Sequence, residues 1–469
     1  MVDYSGMKAL IMGLGLHGGG LESALFLARR GAELTITDLR DEKTLAPSIE
    51  KLEEAGGTGW KGRIRYVLGR HETADFEKAD LVIKNPGVKP DSPYLRAAKR
   101  IETDISLFLR ESPAPLMAVT GSKGKSSAAS ALHWALSRDR KAGKAWLGGN
   151  IAVSPLSFLD TLQAEDDVVL ELSSWQLGDL RGNLLLKPRI ALITAILPDH
   201  QNWYDSMESY TADKRVIGHA QDEEDALIAF NDQWGKSFFA ESRGRALAYW
   251  DRSLPGGLAG AWFADSNSPG LARLSADGEV LEVLPARLRV PGAHQRLNLL
   301  SCALALLDLG MESEKIREAL GSYGGIEHRL EFFHETGGIR FVNDTAATIP
   351  EAAAAAVQAL AGEGPLILIA GGADKSLDFG PLVPAAAKTK TVILLEGSAT
   401  AKLKSLLDGA GIACRGPFDS LDAALKTALE YAATGDIIAL SPGCASFGMF
   451  SNEFDRGRQW KECVENYGH

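Results

Sequence analysis

An apolar strand, a glycine-bearing loop and a helix follow one another in residues 115–134, PLMAVTGSKGKSSAASALHW, and this stretch constrains the chain most. The loop carries Gly121 and Gly124, whose missing side chains let backbone N–H groups approach phosphate oxygens. Lys125 supplies a positive charge for the β- and γ-phosphates, and the hydroxyl of Ser126 is a ligand for Mg²⁺. The stretch therefore predicts a nucleoside triphosphate site in an α/β domain.

The loop is a shortened form of the phosphate-binding motif. The full pattern has a further glycine where this chain has Val119, which leaves G-x-x-G-K-S followed by Ser127. The alternative is an ordinary glycine- and serine-rich turn, but the strand–loop–helix context favours the phosphate site.

Composition limits the class of protein. A chain of 469 residues is too long for one core and predicts about three domains. A net charge of −11 argues against a nucleic-acid partner. The four cysteines are far apart and indicate reduced thiols, neither a disulfide framework nor a zinc site. Because the sequence shows neither a signal peptide nor an apolar run of about 18 residues, we expect a soluble, cytoplasmic protein without a membrane partner.

Residues 7–38 read as strand, glycine turn, helix and strand. The turn contains Gly13 and Gly15, and Asp38 closes the second strand, where an acid binds a ribose hydroxyl in dinucleotide folds. This pattern leaves open whether NAD, FAD or a nucleotide-sugar binds. A second strand ends at Asn85-Pro86-Gly87, which is either a simple turn or part of the ligand crevice.

Polar residues follow the strands of the middle segment. Glu171 ends the apolar strand of DVVLELSSWQL and is placed to ligate Mg²⁺, although a solvent-facing acid is the alternative. The next strand, in RIALITAILPDHQNWY, is predicted to end at Asp199 and His200 on the same sheet edge. Lys214 lies on a polar helix, and its own context indicates only a solvated lysine.

The last segment alternates strands and helices, which predicts a third parallel α/β unit. Its strands are predicted at 339–344, 365–372, 391–397 and 436–443. Pro113 and Pro115 mark the first domain boundary, and the second is expected near residues 322–326, which predicts domains at 1–113, 114–324 and 325–469. We expect a Rossmann-like first domain, a phosphate-loop ATPase-type central domain and a Rossmann-like last domain that acts as a lid.

The collected motifs resemble those of the Mur ligases over essentially the whole chain, and most closely the branch that adds glutamate. The resemblance rests on GLGLHG, NPGV, TGSKGKSS, GGNI, ELSSWQL, DH at 199–200, Lys214, HRLE, NDTAAT, GGADKS and SPGCAS, in that order. It implies that the first domain binds a UDP-sugar and not a dinucleotide.

The resemblance also implies a role for each matching residue. The ATP-binding residues are expected to be Gly121, Gly124, Lys125, Ser126, Ser127, Asn298, Arg329 and Asp344. Two Mg²⁺ ions are expected on Ser126, Glu171, His200 and Lys214, the last carrying a carbamate; Lys125, His200 and Lys214 are the expected catalytic residues. The substrate-binding residues are expected to be Leu16, His17, Asp38, Arg40, Gly87, Asn150, Thr348, Lys375, Ser446 and Phe447.

The implied reaction is ATP-dependent amide-bond formation between UDP-N-acetylmuramoyl-L-alanine and glutamate, through an acyl phosphate, by a monomer. Two departures from the family pattern concern the acceptor: Ala346 stands where lysine is common, and Glu453 where an aromatic residue is common. D-Glutamate is the expected acceptor, and L-glutamate or another amino acid is the alternative.

Other functions compete with this one. A folate- or cyanophycin-type ligase shares the last two domains, but the first domain argues against it. A sensor that binds ATP without turnover is disfavoured because Glu171, His200 and Lys214 occur together. An NAD dehydrogenase leaves the phosphate loop unexplained.

Overall fold

The computed structural model describes residues 2–16, 18–60, 62–139, 143–151, 153–200, 203–265, 267–290, 292–375 and 377–467. Its strands form three sheets, of five, nine and six strands, and helices pack against them. The chain divides into two compact units, one of residues 1–286 and 297–320 and one of residues 287–296 and 321–469. The α/β class predicted from the sequence is confirmed. Within the described ranges, none of the helices is both long and apolar enough to cross a membrane.

The first sheet is parallel, with strand order β3-β2-β1-β4-β5. Glycines follow β1 and open the first helix, as the βαβ pattern predicted. The elements are β1 (Lys8–Met12), α1 (Gly19–Arg29), β2 (Glu33–Asp38), α2 (Glu42–Gly56), β3 (Ile64–Leu68), α3 (Thr73–Lys78), β4 (Leu81–Lys84), β5 (Ile101–Glu102) and α4 (Asp104–Glu111).

The second sheet has the order β14-β13-β12-β11-β10-β9-β6-β8-β7 and is parallel from β7 to β12. Strands β13 and β14 extend it as an antiparallel meander. The elements are β6 (Leu116–Thr120), α5 (Lys125–Leu136), β7 (Ala145–Gly149), β8 (Asp167–Glu171), α6 (Ser174–Asp179), β9 (Ile190–Ile193), α7 (Met207–Arg215), β10 (Ala226–Phe230), α8 (Gln233–Glu241), β11 (Arg245–Trp250), β12 (Gly260–Phe263), β13 (Gly270–Arg273), β14 (Leu281–Leu284), α9 (Ala293–Asp308) and α10 (Ser313–Gly321).

Strand β9 is shorter than predicted. It ends at Ile193, so the prediction that it runs to Asp199 and His200 is wrong. The chain leaves the strand because it turns to cover the phosphate loop: Ala195 forms an isolated antiparallel bridge with Lys123. Both predicted residues lie in the loop that follows.

The first two sheets share one hydrophobic core. A single cluster of buried side chains contains residues of α1 and α4 together with residues of β6 and β8. Phe108 of α4 meets Phe158 edge to face, with ring centroids 5.8 Å apart. The predicted boundary at residue 113 separates two sheets, but apolar packing continues across it, which explains why they form one compact unit.

The third sheet has the order β15-β16-β20-β17-β18-β19 and is parallel except for β15. The four predicted strands are present, and the two edge strands β15 and β19 were not predicted. The elements are β15 (Glu331–Thr336), β16 (Ile339–Asn343), α11 (Pro350–Leu360), β17 (Leu366–Gly371), α12 (Leu382–Ala386), β18 (Thr391–Leu395), α13 (Thr400–Gly409), β19 (Cys414–Phe418), α14 (Leu421–Tyr431), β20 (Ile437–Leu440) and α15 (Glu453–Tyr467).

Candidate active site

The loop between β6 and α5 has a backbone that requires glycine. Gly121 has φ 147° and Gly124 has φ 91°, both in the region that L side chains rarely adopt. A Cβ on Gly121 would lie 2.0 Å from Oγ1 of Thr194, and one on Gly124 would lie 2.4 Å from Oδ1 of Asn298. The loop therefore wraps closely against its neighbours and leads directly into the positive N-terminus of α5, where anions are stabilised.

Two lysines meet at this loop. Nζ of Lys125 and Nζ of Lys214 both donate hydrogen bonds to the carbonyl oxygen of Gly121, at 3.0 and 2.8 Å. Lys214 is only 1% exposed, so the prediction of a solvated lysine from its local context is wrong. Burial, with the nearby charge of Lys125, lowers the pKa of Lys214 to about 7. Along the described residues, no carboxylate lies within ion-pair distance of either ammonium.

Glu171 ends β8 with one carboxylate oxygen unused. The residue is 1% exposed, and its Oε1 accepts a hydrogen bond from Nδ2 of Asn150 at 3.0 Å. Oε2 is buried and has no hydrogen-bond partner in the described structure. A buried carboxylate oxygen without a partner is costly, and a hard cation or its water is the kind of ligand that satisfies it. The solvent-facing alternative is excluded by the burial.

His200 lies on the loop after β9 in a strained conformation. Its φ is 52°, and its backbone N–H donates to Oδ1 of the preceding Asp199 at 3.0 Å. The ring packs on the indole of Trp175, with centroids 4.8 Å apart. Strained backbone of this kind clusters at functional sites, because surrounding structure must hold it in place.

The side chains available to a divalent cation are the hydroxyl of Ser126, the carboxylate of Glu171, the imidazole of His200 and the amine of Lys214. The described residues contain no group of three or more His, Cys, Asp and Glu side chains that could by themselves hold a metal ion. The oxygen donors fit Mg²⁺, but a protonated lysine repels a cation. The set therefore fits Mg²⁺ only when Lys214 has lost its positive charge.

The candidate UDP-sugar residues lie at the carboxyl edge of the first sheet. Asp38 is buried and accepts hydrogen bonds from the backbone N–H groups of Gly15, at 3.2 Å, and Arg40, at 2.9 Å. Leu16 is 39% exposed, and Arg40 and Gly87 are exposed. The carboxylate of Asp38 thus holds the backbone of the glycine turn, while the exposed residues Leu16, Arg40 and Gly87 remain available to a ligand. The predicted residue His17 lies outside the described residues.

The candidate adenosine residues are divided between the two units. Asn298 is buried in α9 against Gly124 of the phosphate loop, in the first unit. Arg329 is exposed and Asp344 is buried, both in the second unit. Asp344 accepts from the Ser441 hydroxyl at 2.6 Å and from the Leu330 N–H at 3.0 Å, and burial raises the pKa of Asp344 to about 6.

The candidate acceptor residues lie on loops at one edge of the third sheet. Ser446 is 3% exposed, and its hydroxyl has no hydrogen-bond partner within the described residues. Lys375 is exposed, with Nζ 5.8 Å from the ring centroid of the exposed Phe447. Thr348 is half-buried after β16. The buried hydroxyl of Ser446 and the exposed ammonium of Lys375 are donors suited to a carboxylate.

Arg456 is a residue that the sequence analysis missed. It is buried in α15 and donates to the carbonyl oxygens of Thr345, at 3.0 Å, and Cys444, at 3.2 Å. It thus ties together the NDTAAT and SPGCAS loops, and burial lowers the pKa of Arg456 to about 10. A sequence signal existed: Arg456 occupies the same helical stripe as the buried Trp460 and Val464.

Family profiles match most of the chain. Residues 7–106 match "Mur ligase MurD-like, N-terminal domain", residues 119–306 match "Mur ligase middle domain", and residues 328–444 match "Mur ligase, glutamate ligase domain". Because the matches are in this order, they assign one family to all three sheets.

Curated relatives match over their full length. The UDP-N-acetylmuramoylalanine--D-glutamate ligase of Treponema pallidum is 41% identical, over 98% of this chain and 97% of its own. The ligase of the same name from Roseiflexus sp. is 40% identical, over 99% of this chain and 100% of its own. Among solved structures, UDP-N-acetylmuramate-alanine ligase MurC from Thermotoga maritima superposes with a TM-score of 0.51 at 18% identity, over 98% of this chain and 100% of that one, and has the same fold.

Proposed function

The chain belongs to the Mur ligase family, and from that premise we propose that it is an ATP-dependent, ADP-forming ligase that joins D-glutamate to UDP-N-acetylmuramoyl-L-alanine. One observation carries this function: Glu171, with its buried and unsatisfied carboxylate oxygen, pairs in the sheet with Val119, two residues before the phosphate loop begins at Gly121. The reaction belongs to peptidoglycan precursor synthesis, and hence to cell wall biogenesis, cell shape and cell division. D-Glutamate is favoured over L-glutamate because both relatives are named for it.

The residues of the phosphate loop bind and orient ATP. The backbone N–H groups of the loop and the N-terminus of α5 hold the phosphates, with the hydroxyls of Ser126 and Ser127 beside them. Lys125 stabilises negative charge on the γ-phosphate, so that the alanine carboxylate of the UDP-sugar takes up the phosphoryl group while its bond to ADP breaks and ADP leaves. The neutral glutamate amine then attacks the acyl carbon and forms the C–N bond; the C–O bond to phosphate breaks, phosphate leaves, and the nitrogen releases a proton.

Mg²⁺ is assigned to Ser126, Glu171, His200 and Lys214, with two ions as the proposal. When bound, it neutralises the charge of the phosphates and of the attacking carboxylate. We assign a carbamate to Lys214 because carbamylation converts an amine that repels metal into an oxygen ligand. This assignment is supported by its burial beside Lys125, and the unused oxygen of Glu171 supports the metal itself.

The UDP-sugar is assigned to the first domain, residues 1–113, with Leu16, His17, Asp38, Arg40 and Gly87 as its contacts. The exposed Leu16 provides an apolar surface for a base, and Arg40 provides a cation for phosphate. Asn150 is assigned to the muramoyl end; its amide already contacts Glu171, which brings the muramoyl group close to the metal site.

D-Glutamate is assigned to the last domain, residues 325–469, with Thr348, Lys375, Ser446 and Phe447 as its contacts. The unpartnered hydroxyl of Ser446 supports this assignment, because a bound carboxylate would satisfy it. The central domain, residues 114–324, is assigned to ATP, with Asn298 as its contact to adenosine. Arg329 and Asp344 are also assigned to adenosine but belong to the last domain. All of the residues assigned to ATP, Mg²⁺, the UDP-sugar and D-glutamate belong to one chain, so a monomer is sufficient for the proposed reaction. The protein is assigned to the cytoplasm, because ATP and UDP-sugars are cytoplasmic metabolites.

The test is phosphate release from ATP by the purified protein with UDP-N-acetylmuramoyl-L-alanine and either D- or L-glutamate. Release with D-glutamate alone is expected. Release with L-glutamate instead would mean that Ala346 and Glu453 mark a changed acceptor pocket, and no release with either would contradict the proposed reaction.

A further inference from the structure

A buried ion pair joins the first sheet to the second. Nζ of Lys84, the last residue of β4, donates to both carboxylate oxygens of Asp179, the last residue of α6, at 2.7 and 2.9 Å. The two side chains are 4% and 9% exposed. Exposed ion pairs contribute little to the free energy of unfolding. A buried pair is held in one geometry, because each buried charge is compensated only by the other.

Lys84 lies at the edge of the first sheet to which the UDP-sugar is assigned. It directly precedes Asn85-Pro86-Gly87, and in the sheet it pairs with Met12, which precedes the glycine turn. A Cβ on Gly13 would lie 3.2 Å from Cβ of Asn85, so the two turns are packed together. Moving Lys84 therefore moves the UDP-sugar turns.

Asp179 leads in the other direction to Lys214. Its neighbour Gly178 packs on α7, where a Cβ on Gly178 would lie 2.8 Å from Oδ2 of Asp213. Asp213 immediately precedes Lys214 and is held by the hydroxyl of Tyr204 at 2.9 Å. Packed and bonded groups thus connect the edge of the first sheet with the candidate metal ligand.

We propose that Lys84 is a positioning residue: through Asp179 it fixes α6 against α7, and so fixes Lys214 relative to the UDP-sugar turns. This inference rests on the proposed function and deepens it. The carboxylate to be phosphorylated arrives on the UDP-sugar, whereas the phosphates and the metal ligands belong to the second sheet. In-line transfer requires the two to be held in register, because small misplacements of reacting groups slow a reaction strongly.

Stability alone does not require these charges. Apolar side chains of similar volume often stabilise a buried junction as well as an ion pair does. Burial raises the pKa of Asp179 to about 6 against the opposing effect of Lys84, so its ionised form is retained at a cost. What an apolar pair lacks is direction, and two hydrogen bonds to one carboxylate provide it.

The test compares Lys84→Met/Asp179→Leu with Lys84→Arg and with a control, Lys187→Met/Asp222→Leu, which removes an exposed ion pair of the same unit. We expect the first variant to melt near the wild-type temperature, to lose kcat about tenfold or more and to raise KM for the UDP-sugar, while KM for ATP stays unchanged. Lys84→Arg should recover part of the loss, and the control should match the wild type.

A folded double variant with wild-type kcat and KM would overturn the inference. If the wild type itself releases no phosphate, the proposed function fails. The positioning role of Lys84 is then tested by a measurement that does not depend on enzyme activity. In that case hydrogen exchange of the α7 backbone amides is compared in the wild type and the double variant. Faster exchange in the variant supports the positioning role, and equal exchange overturns it.

Discussion

Nζ of Lys125 and Nζ of Lys214 donate hydrogen bonds to the same carbonyl oxygen, that of Gly121 in the phosphate loop. Two ammonium groups this close repel each other, and burial adds to the cost of charging both. The arrangement is suited to a bound state in which phosphates reach Lys125 and a carbamate replaces the charge of Lys214.

Lys125→Ala should lower kcat by a factor of about 10² to 10³, because the residue stabilises charge that develops in transfer. Binding of the UDP-sugar should remain, since the residues assigned to it, apart from Asn150, belong to the first domain. Phosphate release and calorimetric titration with the UDP-sugar measure the two effects. Unchanged release would remove Lys125 from the mechanism.

Lys214→Arg keeps the charge but cannot form the carbamate, so kcat should fall at least as far as in Lys125→Ala. In bicarbonate buffer, the mass of the intact wild-type protein under non-denaturing conditions should increase by one carbon dioxide, and that of the variant should not. Full activity in Lys214→Arg would exclude the carbamate.

Glu171→Gln retains the shape of the side chain and the contact with Asn150 but removes the negative charge. We expect kcat to fall about a hundredfold. Added Mg²⁺ should partly restore kcat, because a Mg²⁺ site of lower affinity is filled at a higher Mg²⁺ concentration. A Mg²⁺ dependence identical to the wild type would argue against Glu171 as a ligand.

Ser446→Ala should raise KM for D-glutamate about tenfold and leave KM for ATP unchanged, because one hydrogen bond to a charged group is lost. Steady-state kinetics with each substrate varied in turn measures this. The matched control is Ser441→Ala, whose hydroxyl contacts Asp344 and should affect ATP instead. Equal KM values for D-glutamate in Ser446→Ala and the wild type would mean that Ser446 does not bind the acceptor.

The pair Lys84–Asp179 should make UDP-sugar binding depend on pH. Burial raises the pKa of Asp179 to about 6, with Lys84 opposing this rise and the carboxylates of Asp213 and Asp104 adding to it. The stability that this raised pKa provides is therefore present in full below about pH 4 and is lost as the pH rises through about 6. The negative charge of Asp179, which holds Lys84 in place, behaves in the opposite way: it is lost as the pH falls below about 6.

KM for the UDP-sugar should therefore rise between pH 7 and pH 5.5 more in the wild type than in Lys84→Met/Asp179→Leu. The difference between the two proteins is the measured quantity, because it cancels the titration of the substrates. Parallel profiles would mean that the pair does not sense pH.

Local patterns predicted the fold well. The phosphate loop and the βαβ unit were readable because glycine positions, strand hydrophobicity and helix starts lie close together in the chain. The edge strands β15 and β19 were missed, since few of their residues are buried and only their partners in the sheet define them. The end of β9 was misplaced because Thr194 and Ala195 turn to cover the phosphate loop, a contact with residues far away in sequence.

The sequence by itself determined the α/β class, the phosphate loop with Lys125, and the acid of Glu171 at a strand end, because each depends on short-range periodicity and residue chemistry. Only the tertiary structure decided that Lys214 is buried beside Lys125, and that Lys84 meets Asp179 across the junction of two sheets. The physical reason is that desolvation and pairing of charges depend on neighbours brought together by folding, and a linear pattern carries no measure of those distances.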